Sequence, residues 1–92
     1  MKEKSIENKI KAYLKTIDSL FFFKEHGGLY GTAGVPDIIC CYKGQFIAFE
    51  VKTDDGKTTA LQDATIKRIR KAGGIAEVVR SVEEVKRIIE SK

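Results

Sequence analysis

A two-residue turn constrains this chain more than any other feature. Two apolar runs, Asp37 to Tyr42 and Gln45 to Lys52, are rich in Ile, Phe and Val and are separated only by Lys43-Gly44. A two-residue loop ending in glycine predicts a tight β-hairpin. A loop of that length also sets the register. Tyr42 stands opposite Gln45, Cys41 opposite Phe46, Ile39 opposite Ala48, and Asp37 opposite Glu50. Directly opposed residues of an antiparallel pair share one face, with Cβ atoms about 4.5–5.5 Å apart. Lys52 lies two residues beyond Glu50 and so falls on the same face. The hairpin therefore predicts two carboxylates side by side with a lysine next to them.

Such a pair is costly, because directly opposed like charges destabilise a sheet and burial adds to the cost. Three arrangements relieve it. The carboxyls can share a proton, Lys52 can neutralise one of them, or a divalent cation can neutralise both. Hard oxygen ligands suit Mg²⁺ or Mn²⁺. A plainer alternative also stands: the hairpin frays before Asp37, or Asp37 simply caps a turn after Pro36.

The flanking sequence supplies the other elements. Ile6, Ile10, Tyr13, Leu14 and Ile17 form one stripe of a helical period, with Ser5 as the expected N-cap. Leu20 to Lys24, with three consecutive Phe, reads as a strand. The glycine-rich stretch from His26 to Gly34 reads as a loop, and Pro36 opens the hairpin. After a polar loop, Thr53 to Lys57, a helix is expected over Ala60 to Lys71, capped by Thr59 and ended by Gly73-Gly74. Ile75 to Arg80 reads as a strand. Ser81 and Glu84 form a capping box for a last helix bearing Val82, Val85, Ile88 and Ile89 on one face. The expected order is α-β-β-β-α-β-α, an α/β chain with a single domain over residues 1–92.

Composition narrows the function class. Of the 92 residues, 42% are hydrophobic and 33% charged, which fits a globular chain rather than a disordered one. No apolar run approaches the roughly 18 residues of a membrane span, and Met1 to Lys11 is too charged for a signal peptide. The expectation is a soluble cytoplasmic protein without membrane contact, or one in the host cytoplasm if virus-encoded. Cys40 and Cys41 are adjacent, so in a strand they point to opposite faces and do not bridge. The net charge of +4 is unevenly spread: residues 1–24 carry +3, residues 25–56 carry −3 and residues 57–92 carry +4. Basic flanks around an acidic centre suit a protein that attracts a polyanion and holds a cation, though ordinary solvated helix faces give the same pattern.

Pro36-Asp37 followed thirteen residues later by Glu50-Val51-Lys52 resembles the PD-(D/E)xK pattern of metal-dependent nucleases. The wider context resembles the VRR-NUC (virus-type replication–repair nuclease) branch. It comprises a helix with Glu7, a loop ending Gly34-Val35-Pro36-Asp37, Glu50-Val51-Lys52-Thr53, a polar turn, and a helix starting with Gln62. The resemblance covers nearly the whole chain. It implies a restriction-endonuclease-like core with a mixed sheet of about four strands and flanking helices. It also implies Mg²⁺ or Mn²⁺ held by Asp37, Glu50 and the Val51 backbone carbonyl, with Glu7 reaching the same site directly or through water. Lys52 would position or activate the attacking water and offset charge on the phosphate. Glu7 has a second reading, a surface carboxylate paired with Lys11 one turn on. Gln62 has one too, since Thr59-x-x-Gln62 is itself a capping box, and the two roles are compatible.

Lys67, Arg70 and Lys71 on one helix, Lys4, Lys11 and Lys15 on another, and Tyr30 in the glycine loop are the candidate DNA contacts. His26 matches no ligand of the family. Small stand-alone relatives resemble junction resolvases, so the expected partner is branched or four-way-junction DNA, met by a homodimer to which one of Phe21 to Phe23 contributes. The expected function is a divalent-metal-dependent DNA endonuclease. The alternative is a non-catalytic or differently targeted nucleic-acid-binding module on the same scaffold.

Overall fold

In the computed structural model the Lys43-Gly44 turn forms as its residues dictate. Both central residues have positive φ, 53° at Lys43 and 74° at Gly44, as a type I′ turn requires. The structure describes residues 2–26 and 34–92. Strand β2 (Ile38–Tyr42) and strand β3 (Gln45–Val51) pair antiparallel from Tyr42 opposite Gln45 to Ile38 opposite Phe49, the register that the turn predicts. Strand β1 (Leu20–Lys24) pairs antiparallel with the other edge of β2. Strand β4 (Ile75–Val79) pairs parallel with β3 after the crossover helix α2 (Ala60–Lys71). The sheet order is β1-β2-β3-β4. Helix α1 (Glu3–Lys15) precedes the sheet and helix α3 (Val82–Glu90) follows it. The mixed four-strand sheet and the α-β-β-β-α-β-α order are those expected.

Alternation along the strands divides the core in two. Ile38, Cys40, Ile47, Phe49, Val51 and Val79 pack against Ile6, Ile10 and Leu14 of α1 and Val85 and Ile89 of α3. On the other face Ile39, Ala48 and Ala76 pack under Ile66 of α2. Helix α2 covers only part of this second face. Phe21, Phe23 and Phe46 share it and are exposed by 67%, 45% and 45%, whereas Phe22, of opposite parity, packs against the larger core. The neighbouring cysteines divide likewise: Cys40 is buried, which pushes its thiol up to about 12, and Cys41 is exposed. No helix among the described residues is long and apolar enough to cross a membrane.

Three expectations at element ends are corrected. Helix α1 starts at Glu3 with Lys2 as a cap that makes no side-chain bond, so Ser5 lies inside the first turn. The backbone ahead of Ser5 is already helical and its nitrogen donates to the Lys2 carbonyl at 3.0 Å. Strand β2 begins at Ile38, and Asp37 sits in a bend ahead of it. At α3, Ser81 Oγ accepts from the Glu84 nitrogen, but the Glu84 carboxylate takes the Arg80 nitrogen rather than that of Ser81. Arg80 is oriented by the turn after β3, donating through one guanidinium nitrogen to the carbonyls of Thr53 and Gly56.

Gly34 joins the loop to the Pro36-Asp37 step and cannot carry a side chain. Its φ is +78°, and an added Cβ would lie 2.8 Å from the Leu61 carbonyl oxygen of α2. Gly34→Ala is therefore expected to destabilise the protein by about 1–3 kcal/mol, read as a lower midpoint in urea denaturation. Gly44→Ala meets open space at the hairpin turn and should cost about 1 kcal/mol or less through its positive φ alone.

Candidate active site

The site forms where β2 ends before β3 does. With no strand residue left opposite it, the Val51 nitrogen donates to the Asp37 side chain at Oδ2, 2.8 Å away. This bond turns the Asp37 carboxylate towards β3, where its charge bears on Glu50. The Asp37 carbonyl also accepts from the Glu25 nitrogen at 2.8 Å, continuing the β1–β2 ladder past the last strand pair. Asp37 is thus held from both sides.

Glu50 is 1% exposed. Burial, then the hydrogen bond and charge of Asp37, push its carboxyl up to about 8, with Lys52 pulling the other way. Lys52 Nζ stands 3.8 Å from Glu50 Oε2. Gln62 serves two partners at once. Its Oε1 accepts from the Thr59 nitrogen at 2.9 Å while Thr59 Oγ1 accepts from the Gln62 nitrogen at 3.1 Å, closing the capping box. Its Nε2 meanwhile donates to Glu50 Oε2 at 3.3 Å. The capping box thus forms, and the same side chain also reaches Glu50.

Glu7 makes the expected pair with Lys11, with one correction to its setting. It pairs with Lys11 at 3.7 Å and Lys4 at 3.8 Å, but it is 5% exposed and not a surface residue. Its Oε2 meets Lys24 Nζ at 3.3 Å, and the same ammonium lies 3.4 Å from Asp37 Oδ1. Lys24 therefore stands between Glu7 and Asp37. Among the described residues no three His, Cys, Asp or Glu side chains converge tightly enough to hold a metal ion, so Glu7 is not brought into one cluster with Asp37 and Glu50.

Lys24 is the site residue that sequence reasoning missed. It follows Phe22 on the face of β1 that packs towards α1, and a lysine at an inward position needs a carboxylate partner. That parity was the available signal. Burial opposes its charge, but Asp37 and Glu7 outweigh burial and hold the ammonium above the ordinary lysine value.

The oxygens fit a divalent cation. Glu50 Oε1 and Glu7 Oε1 are buried with no hydrogen-bond partner; Lys4 and Lys11 approach Glu7 Oε1 only at ion-pair distance. Magnesium commonly uses one or two carboxylates and completes its shell with water and substrate phosphate, so Asp37 and Glu50 suffice as anionic donors. A cavity of about 470 Å³ lies elsewhere, between Ile6, Lys9, Thr53, Arg80 and neighbouring residues. It contains none of Asp37, Glu50, Lys52 or Gln62.

Of the candidate DNA contacts, Lys15, Lys67 and Lys71 are exposed. Arg70 is exposed and partly engaged: its Nε donates to the Ala76 carbonyl and a terminal nitrogen pairs with Glu77, both at 2.9 Å. Its outer-face position also reaches the α2–β4 junction. Lys11 is half-buried against Glu7. Tyr30 lies outside the described residues. His26 is exposed.

A mixed sheet flanked by helices, with Asp, Glu-x-Lys and a helical Gln gathered at one strand end, defines a nuclease-type α/β domain. No family model matches the sequence, and no curated protein does. Among solved structures, one described as a VRR-NUC domain superposes with a TM-score of 0.79 at 26% identity, covering 96% of this chain and 94% of that one. A second, a VRR-NUC domain protein, superposes at 0.76 with 18% identity, covering 99% and 87%, and this match speaks for the fold alone. The chain has the VRR-NUC fold, as its motifs led us to expect.

If Glu50 is a buried acid kept for a ligand, removing its charge should relieve the metal-free protein. Glu50→Gln is expected to raise stability in EDTA by about 1–3 kcal/mol, measured by urea denaturation. It should also abolish any further stabilisation by Mn²⁺.

Proposed function

We propose that this chain is a divalent-metal-dependent DNA endonuclease that acts on branched DNA as a homodimer. The observation that carries the reading is the buried Glu50 carboxyl set beside half-buried Asp37, Lys52 and Gln62, with one Glu50 oxygen lacking any hydrogen-bond partner. A structural ion pair would leave neither the crowded acids nor the orphaned oxygen. Asp37, Glu50 and the Val51 carbonyl would hold Mg²⁺ or Mn²⁺. When bound, the cation would polarise the phosphoryl oxygen and make water more acidic. Val51 orients Asp37 through its nitrogen, and Gln62 orients Glu50 through its amide. The Lys52 ammonium, beside Glu50, would hold the attacking water and offset charge gathering on the phosphate. The water oxygen adds to phosphorus, one ester P–O bond breaks, and the departing oxygen takes a proton. Lys15, Lys67 and Lys71 would meet phosphates away from the reacting bond.

The dimer reading is supported by the uncovered part of the α2 face. Phe21 stands opposite Cys41 and Cys41 opposite Phe46, so an exposed apolar row crosses three strands, with Phe23 beside it. Clustered exposed aromatics mark interaction surfaces. A two-fold pair of sites matches the symmetry of a four-way junction.

Cleavage of a labelled four-way junction and of a linear duplex with matching sequence, each with Mg²⁺ or EDTA, tests the reading. The junction should be cut in preference to the duplex, only with the metal, and less well as salt rises, because phosphate contacts release counterions. Asp37→Asn, Glu50→Gln and Lys52→Ala should each lower the rate by at least about a hundredfold while metal-free DNA binding persists. Folded variants that cut at the wild-type rate would refute the assigned site. DNA binding without cleavage under any metal would favour the non-catalytic module. Light scattering should give the mass of two chains, and Phe21→Asp should shift it towards one. A monomer that cuts both substrates equally would remove the junction reading and leave the metal chemistry standing.

A further inference from the structure

Lys24 is the least expected member of the site, and its position is set by the backbone. It ends β1 opposite Ile38, and the next residue, Glu25, donates its nitrogen to the Asp37 carbonyl. The root of the lysine is thereby tied to the residue whose carboxylate it meets. Its ammonium lies 3.3 Å from Glu7 Oε2 and 3.4 Å from Asp37 Oδ1, with the side chain only 21% exposed. It therefore joins α1 to the β2–β3 end of the sheet through two carboxylates. Lys4 and Lys11 reach Glu7 from α1 itself, on the other carboxylate oxygen; only Lys24 touches Asp37 as well.

A cation placed on Asp37 has two effects on a second cation. It shields the carboxylates while the site is empty, which keeps a crowded acidic centre folded. It also repels and competes with a divalent ion that would use the same carboxylate. We propose that Lys24 is an internal counter-cation of the metal site: it occupies the Glu7–Asp37 gap without metal and gives up its Asp37 contact when a divalent cation binds. Metal affinity is then lower than the carboxylates alone would give, and the metal-free chain is held together by the exchange partner. Lys24 thus acts as a positioning residue through Asp37 and Glu7. This inference rests on the metal reading of Asp37 and Glu50.

The test is Mn²⁺ binding to the full chain by titration calorimetry, with melting temperature as a second readout. Lys24→Met should bind Mn²⁺ about tenfold more tightly than wild type, the scale set by one unit charge a few ångströms from a divalent ion even under strong screening. It should melt lower in EDTA, with the deficit shrinking at saturating Mn²⁺. Lys24→Arg keeps the charge and should stay within about threefold of wild-type affinity. A Lys24→Met chain that folds only with Mn²⁺ supports the proposal; one that folds in EDTA and binds Mn²⁺ no more tightly than wild type overturns it. Should Lys24→Met fail to fold under every condition, the wild-type chain decides. Acetic anhydride labelling followed by mass spectrometry should modify Lys24 faster with saturating Mn²⁺ than in EDTA, and an unchanged rate overturns the proposal. Wild-type protein that binds no Mn²⁺ would bring down the metal reading and this inference together. Wild-type binding that is lost in Glu50→Gln but not tightened in Lys24→Met would remove this inference alone.

Discussion

One hydrogen bond holds the site together: the Val51 nitrogen to Asp37 Oδ2 at 2.8 Å. Strand β2 stops at Ile38 while β3 runs on to Val51, so β3 carries a backbone donor past the end of its partner. A buried donor must find an acceptor, and the Asp37 carboxylate supplies it. The same step fixes the direction of Asp37 and brings it to Glu50. On the other side of β3 the Lys52 nitrogen donates to the Val79 carbonyl at 3.0 Å. The Glu50-Val51-Lys52 segment is thus clamped between β2 and β4, and its side chains inherit their direction from the sheet.

The cost of that arrangement shapes its surroundings. Two acids in a closed space are unfavourable, and the chain answers with amide and ammonium groups drawn from every side. Gln62 comes from the start of α2, Lys52 from the end of β3 and Lys24 from the end of β1, with Glu7 reached across from α1. The centre is therefore where the elements meet, and relieving its charge bears on how α1 and α2 sit on the sheet.

Much of this was legible locally. The Lys43-Gly44 turn and the alternation of apolar residues decided the hairpin register, because a two-residue turn admits few geometries and a shift by one residue would exchange the two faces. Thr59 and Gln62 marked the start of α2, since a capping box uses residues three apart on one turn. Phe21, Phe22 and Phe23 alternated as a strand demands. Local reasoning erred where two elements compete for one group. Ser5 has the chemistry of a cap, but the helix begins at Glu3. Glu84 reaches the Arg80 nitrogen instead of closing on Ser81.

The sequence by itself determined the element order and the hairpin register from Tyr42–Gln45 to Ile38–Phe49, both consequences of short-range geometry within one stretch of chain. Tertiary structure decided the burial of Glu7, the bond from Gln62 to Glu50, and the place of Lys24 between Glu7 and Asp37. Lys24 is remote in sequence from both of its partners, and no periodicity or turn connects them. Only the packing of α1 against the sheet, and the pairing of β1 with β2, bring both carboxylates within 3.4 Å of the Lys24 ammonium.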